Sequence, residues 1–288
     1  MKIKALKVNA FTDKIDGGNP AGIVINPPDS SVKQMCQVSK ILGVSETAFV
    51  SPSKEYDYKV RFFSPDVEVN LCGHATIACF FTMADKGLIS KEKVFQKTKA
   101  GVLPVDIDLD ETGSVRKVMM TQSKPIYKDI FLDISNLADL LNIKKDYIDD
   151  SLPFQSVSTG LFTLPVCIKN FKILKSIDPN FKKVKEFCKI NNIGSLHLFT
   201  FDTLEKDSFY HARNFAPIYG INEDPVTGTA NGAVCSYLVK NGITDDSKFI
   251  CEQGDIIGRS GRINVEIKKD LVRVGGRSKF VEKKILDI

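Results

Sequence analysis

The chain has 288 residues, 43% hydrophobic and 26% charged, with a net charge of +5. That length suits two domains of common size. The lysines are scattered, with no dense basic run or aromatic-basic interleaving, which argues against nucleic-acid binding. No apolar run is long enough for a bilayer-spanning helix, which argues against a membrane protein. The seven cysteines show no CxxC spacing, which argues against a zinc ribbon. The stretch MKIKALKVNAF has no continuous apolar core or cleavage site, so a cytoplasmic chain with reduced thiols is expected.

In chain order, residues 3–11 alternate apolar and polar as a strand does, and Gly-Gly-Asn-Pro-Ala at 17–21 is a turn into a strand over 22–25. Asp29 or Ser30 is placed to cap a helix over 31–42, which Gly43 stops. Strands are predicted over 44–50, carrying Glu46, and over 56–63. An apolar helix follows over 75–86, then a meander over 93–98, 101–109 and 114–121. Residues 122–128 read as a crossing to a second domain. There Asp133 or Ser135 caps a helix through Leu141, and strands run over 156–159 and 163–168. Asp178-Pro179 opens another helix, and strands over 196–201 and 208–215 follow it. A second apolar helix spans 230–241, and strands are predicted over 249–253, 261–267 and 271–275. The last segment, 279–285, reads as a return. The expected domains are residues 1–121 plus 279–288, and residues 122–278.

A repeat organises this order. RFFSPDVEVNLCGHATIACFFTMADKGLI from Arg61 is answered by RNFAPIYGINEDPVTGTANGAVCSYLVKNGIT from Arg213. Both begin Arg-x-Phe-(Ser/Ala)-Pro. Gly73 matches Gly228 and Gly87 matches Gly242, with the same offset of 155 residues. A repeat used twice predicts two similar domains. Each repeat holds a helix apolar on all sides, so each domain is expected to wrap its sheet around one buried helix. The glycines at the two helix starts leave backbone N–H groups for an anion. By pseudo-symmetry, the two starts are expected to face each other and form a carboxylate pocket between the domains.

Several side chains carry candidate chemistry. Asn19 is either a turn residue or an amide lining the pocket. Glu46 is either solvated on its strand or held in a partly apolar cleft, where a raised pKa would suit it to carry a proton. His74, beside Gly73, is expected to stay neutral at a helix N-terminus and to hydrogen-bond a substrate; its repeat partner is Thr229. Asp224 is either a turn cap or an acceptor for a substrate amine or hydroxyl. Cys72 is either inert and buried or made more acidic by the helix end. Two carboxylates and one histidine, without metal-ligand spacing, suggest proton transfer on a small carboxylated molecule. There is no GxGxxG and no P-loop, so no dinucleotide or ATP phosphate site is indicated.

The segments NPAG, SETAFV, RFFSPDVEVNLCGHAT, VSTGL and RNFAPIYGINEDPVTGTANG together resemble the phenazine-biosynthesis PhzF-like family, in order along essentially the whole chain. The resemblance implies the diaminopimelate-epimerase-like α+β fold: two pseudo-symmetric domains, each a mainly antiparallel sheet around a central helix, with the site in the interdomain cleft. It implies an isomerase that moves a proton within dihydro-3-hydroxyanthranilate or a similar conjugated carboxylate, without metal or organic cofactor, and a homodimer. The family's catalytic glutamate falls on Glu46, and its substrate-positioning histidine and aspartate fall on His74 and Asp224. Gly73 and Gly228 would supply amides to the carboxylate. The family's serine falls on Thr229, a departure that keeps the hydroxyl, adds a methyl group and leaves the substrate open. Related epimerases and racemases use two facing thiols. Cys72 could supply one, but its repeat partner is Thr227, and Cys235 lies about 10 Å further along the helix. The alternatives are an amino-acid epimerase on the same fold and a non-catalytic small-molecule binder.

Overall fold

The computed structural model describes residues 2–288. It divides into two compact units, residues 1–121 with 275–288, and residues 122–274. The crossing back therefore comes at Gly275, ahead of the expected Lys279. A side-chain carbon at Gly275 would fall 1.9 Å from the Val118 carbonyl oxygen, so the chain is already packed against the first unit's own strand at that point.

The first unit begins with β1 (Lys2–Ala10), β2 (Asn19–Ile25) and α1 (Val32–Leu42). Then come β3 (Thr47–Pro52), β4 (Tyr58–Phe63), β5 (Glu68–Val69), α2 (Gly73–Asp85), β6 (Lys93–Thr98), β7 (Gly101–Leu109) and β8 (Val115–Thr121). Antiparallel β1–β2 is followed by parallel β2–β3 and antiparallel β3–β4. Strand β4 then pairs antiparallel with β5 and parallel with β6, and β6, β7 and β8 run antiparallel. Helix α2 touches β1, β2, β3, β7 and β8. Ten of its residues, Ala75 to Ala84 without a break, are buried, as an all-round apolar helix requires. Helix α1 covers the other face, with Met35, Val38 and Leu42 packed against Val24, Phe49 and Phe63.

The second unit comprises β9 (Ile126–Asp129), α3 (Ile134–Leu141), β10 (Gln155–Ser158), β11 (Phe162–Cys167), α4 (Phe171–Ser176) and α5 (Phe181–Ile190). It continues with β12 (Ser195–Thr200), β13 (Tyr210–Ala216), β14 (Ile221–Asp224), α6 (Gly228–Lys240), β15 (Lys248–Gln253), β16 (Gly261–Lys268) and β17 (Leu271–Gly276), whose last two residues fall in the first unit. The pairing of β10 through β16 reproduces that of β1 through β7 strand for strand, including the parallel steps β11–β12 and β13–β15. Helix α6 is buried from Ala230 to Leu238 and touches β10, β11 and β16. The outer face is covered by α3, α4 and α5 around Leu137, Leu174 and Val184. The last strand, β18 (Ser278–Asp287), returns to pair antiparallel with β1.

Several expected boundaries shift for identifiable reasons. Ser31, not Asp29 or Ser30, caps α1, because Gln34 three residues on completes a reciprocal capping box. Asn180, not Asp178, caps α5; its side chain accepts from the Lys183 amide, and Pro179 lies outside the helix. Helix α4 was not foreseen: it is short, and Asn170 caps it. Asp133 caps α3 as one of the two expected choices. Gly87 and Gly242 close the repeated helices at φ of 68° and 69°, left-handed backbone that a side chain disfavours. No described helix is long and apolar enough to cross a membrane.

Two features of this frame are testable. A side-chain carbon at Gly22 would meet Thr47 Oγ1 at 2.3 Å and Leu42 Cδ1 at 2.7 Å, so glycine lets β2 lie close to β3. Gly22→Ala is expected to destabilise the fold by about 1–3 kcal/mol in chemical denaturation. The fully buried Glu252 accepts from His211 Nδ1 at 2.8 Å and from the Leu204 and Glu205 amides at 2.9 and 2.7 Å. Burial alone would raise its pKa, but these donors outweigh burial and hold it down to about 2. A carboxylate with a depressed folded pKa contributes stability above its unfolded pKa and loses it as pH falls through the folded one. Unfolding followed from pH 7 to pH 2 should show this contribution, on the order of 3 kcal/mol, draining below about 4.5. Glu252→Gln should be less stable at pH 7 and flatter across that window.

Candidate functional site

In each unit a guanidinium fixes the turn that leads into the central helix. Arg61 binds Glu68 through two nitrogens at 2.8 and 3.0 Å. Arg213 binds Glu223 in the same way, at 2.9 and 2.8 Å. Each arginine also lies over the phenylalanine two residues on, Phe63 at 4.9 Å and Phe215 at 4.8 Å. Arg61 and Lys99 hold Glu68 down to about 2. The arginine of the repeated Arg-x-Phe motif therefore anchors a turn whose far end is the helix start.

In the first unit this start is Cys72-Gly73-His74. Cys72 is the N-cap of α2 but makes no side-chain cap bond. Its sulfur lies 3.5 Å from His74 Nδ1 and 3.8 Å from Nε2. Thr76 Oγ1 instead donates to the Cys72 carbonyl at 2.8 Å. Glu46 brings its Oε2 to 3.4 Å from His74 Nε2, with 23% of its side chain exposed against 14% for His74. Glu46 precedes β3 instead of lying within it as expected, because the strand begins at Thr47, whose side chain points into the core. Its backbone is fixed nonetheless, since its carbonyl accepts from the Gly22 amide at 2.9 Å. Ser45 Oγ lies 3.5 Å from His74 Nε2, a neighbour that sequence reasoning missed. Asn19 is buried at the first position of β2, opposite Ala10.

In the second unit the equivalent start is Thr227-Gly228-Thr229. Thr227, like Cys72, is an N-cap without a cap bond. Its hydroxyl instead donates to Asp224 Oδ2 at 2.5 Å. Asn231 Nδ2 donates to the Thr227 carbonyl at 2.9 Å, the role Thr76 plays in the first unit. The fully buried Gln253 ties this start together: its Nε2 donates to the Asp224 carbonyl and to Thr227 Oγ1, and its Oε1 accepts from the Thr227 amide and from Asn231. Tyr210 donates to Asn231 Oδ1 at 2.8 Å. Sequence reasoning passed over Gln253, Asn231 and Tyr210, because a buried amide in a strand and a polar residue inside an apolar helix carry no spacing signal. The Thr229 methyl lies where a side-chain carbon at Gly160 would meet it at 3.4 Å, so the extra methyl packs over a glycine.

The other histidines are structural. Buried His197 pairs with Asn214 Oδ1 at 3.1 Å, and burial lowers its pKa to about 4. His211 serves Glu252. Cys235 is fully buried, 3.5 Å from the Cys251 sulfur. A cavity of about 450 Å³ in the second unit is lined by Leu161, Phe162, Asn192 and Tyr219, and none of the expected site residues borders it.

Comparison with known proteins agrees with this architecture. Residues 8–284 match the model of the phenazine biosynthesis-like protein family. An uncharacterized isomerase of Bacillus subtilis, YfhB, is 36% identical over 99% of both chains. The crystal structure of a Bacillus anthracis phenazine biosynthesis protein of the PhzF family superposes with a TM-score of 0.92 at 31% identity, covering all of both chains. A predicted epimerase of Pseudomonas aeruginosa shares the fold, with a TM-score of 0.79 at 19% identity over 99% of each chain. The α+β fold of the epimerases, the repeated strand pairing and the match along nearly the full length together place this chain in the PhzF family of phenazine biosynthesis-like isomerases.

Proposed function

We propose that the protein is a metal- and cofactor-independent isomerase that moves a proton within a small cyclic or conjugated carboxylate of the dihydro-3-hydroxyanthranilate type. The observation that carries this reading is the approach of the Glu46 carboxylate to His74 at the start of α2. A partly exposed carboxylate on a fixed backbone can take a proton from a carbon beside a conjugated system and return it to another carbon. An imidazole at 3.4 Å orients that carboxylate. Substrate binding would displace the water around Glu46 and strengthen its basicity during transfer.

The reading assigns the substrate carboxylate to the helix starts at Gly73 and Gly228, where neither N-cap side chain closes over the first amides. Asp224, which already accepts from Thr227, takes an amine or hydroxyl of the substrate. Asn19, His74 and Thr229 position the ring. The amino-acid epimerase reading is less well supported, because Thr227 stands where a second thiol would be needed and Cys235 is buried against Cys251.

The test is proton exchange in deuterated water, followed by NMR, with a panel of dihydroanthranilate-like and amino-acid carboxylates. Deuterium is expected to enter a ring carbon, and Glu46→Gln is expected to slow entry by about 10²–10⁴-fold. Exchange confined to an amino-acid α-carbon would replace the isomerase with the epimerase. On the substrate so identified, Asp224→Asn should raise KM by about 10–100-fold, the loss of one charge-assisted hydrogen bond, with a smaller change in kcat. An unchanged KM would remove Asp224 from the binding role.

A further inference from the structure

The helix start of the second unit carries a chain of hydrogen bonds whose direction is fixed at every step. Tyr210 donates to Asn231 Oδ1 at 2.8 Å, Asn231 Nδ2 donates to Gln253 Oε1 at 2.8 Å, and Gln253 Nε2 donates to Thr227 Oγ1 at 3.1 Å. Thr227 Oγ1 then donates to Asp224 Oδ2 at 2.5 Å. The two ends of a side-chain amide have the same shape, so its orientation is set by what surrounds it. Backbone groups settle it here, because a carbonyl can only accept and an N–H can only donate. The Thr227 carbonyl, 2.9 Å from Asn231 Nδ2, holds the nitrogen at that end. The Asp224 carbonyl at 2.8 Å holds Gln253 Nε2, and the Thr227 N–H at 3.0 Å holds Gln253 Oε1.

The hydrogens are then fully assigned. Asn231 directs its two amide hydrogens to the Thr227 carbonyl and to Gln253, and Gln253 directs its two to the Asp224 carbonyl and to Thr227. The Thr227 hydroxyl has a single hydrogen. Its oxygen already faces an N–H of Gln253, so that hydrogen points the other way, to Asp224. Tyr210 is fully buried, and burial pushes its phenol well above the usual range, so the head of the chain stays a donor. Asn231 and Gln253 are fully buried too, where reversing one bond would leave a polar atom unmet. In the first unit the repeat places Thr98 where Gln253 stands, and Thr98 donates to the Gly101 carbonyl of its own hairpin. The repeated fold by itself therefore does not require the chain.

We propose that Gln253 and Asn231 are positioning residues for the reaction: through the Thr227 hydroxyl they hold the Asp224 carboxylate in one orientation, as a hydrogen-bond acceptor. A carboxylate held this way receives an amine or hydroxyl of the substrate and rejects a carbonyl in the same place. The direction of the chain stands on the hydrogen bonds alone. Its effect on the substrate rests on the reading above, in which Asp224 binds an amine or hydroxyl.

The test has arms without substrate and one with it. Neutron diffraction from crystals of the perdeuterated protein should place a deuteron on Thr227 Oγ1, directed at Asp224 Oδ2, and two deuterons on the Gln253 atom that faces the Asp224 carbonyl. A deuteron bonded to Asp224 Oδ2, or a Thr227 deuteron directed at Gln253, would overturn the chain. In the crystal structure of Thr227→Val the Asp224 carboxylate should leave its wild-type orientation, and an unmoved carboxylate would overturn the positioning role. On the carboxylate identified by proton exchange, Thr227→Val and Gln253→Glu should each raise KM by about 10–100-fold, as Asp224 loses a charge-assisted partner, with a smaller change in kcat. Gln253→Glu sets an acceptor where Nε2 stood and so turns the Thr227 hydroxyl away from Asp224. Both variants act through Asp224, so the double variant should be no worse than the worse single one. Thr227→Ser, which keeps the hydroxyl, should recover KM. A role in stability alone would lower the melting temperature of Gln253→Glu and leave KM unchanged; an unchanged KM in Thr227→Val refutes the proposal even where Gln253→Glu does not fold. A misplaced deuteron counts against the chain whatever the substrate is, whereas absent ring exchange with every deuteron in place counts against the isomerase reading only.

Discussion

Each half of this protein depends on a guanidinium-carboxylate pair that closes the turn before its central helix. The Arg213–Glu223 pair is largely buried, with 8% and 14% of the side chains exposed, and Arg213 Nη1 also donates to the Leu174 and Ile177 carbonyls. An arginine so engaged has no cheap alternative: removing one partner of a buried pair strands the other charge and costs about 3–5 kcal/mol. The two-pronged geometry fixes direction as well as distance. The turn therefore delivers the helix N-terminus, and the residues flanking it, to one defined place.

Two copies of that chassis have diverged in what they present. The N-cap is Cys72 in one and Thr227 in the other, and neither caps its helix. Released from capping, each side chain turns to a polar neighbour, Cys72 to His74 and Thr227 to Asp224. The first unit thus gathers a thiol, an imidazole and a carboxylate. The second gathers a carboxylate, hydroxyls and amides, which suits it to holding polar groups on a ligand.

The two helix starts are also supported differently. In the first unit a single hydroxyl, Thr76, reaches back to the N-cap carbonyl. In the second, Asn231 does this and then extends the network to Gln253 and Tyr210, all fully buried. Buried polar groups are tolerated only when their hydrogen bonds are made, and a completed network is rigid. Gln253 engages both the Asp224 carbonyl and Thr227, so it holds the Asp224–Thr227 pair in register.

The sequence alone determined the long elements and their repetition, but not α4 or the short strands β5, β9 and β14. Apolar runs with glycine at each end defined the central helices, and the constant offset between the glycines defined the duplication, because burial and left-handed C-caps leave local marks. The motifs around Glu46, His74 and Asp224 were legible through their resemblance to the PhzF-like family. Tertiary structure decided what those residues meet. That Ser45 and Glu46 meet His74, and that Gln253 gathers Asp224, Thr227 and Asn231, follow from the packing of segments distant in sequence. Helix caps at Ser31 and Asn180 were settled by which side chain could reach an amide three residues on. The strand-pairing contacts depend on the path of the backbone through space, which no local pattern of residue types encodes, whereas the Ser31 cap rests on a local Ser-x-x-Gln pattern.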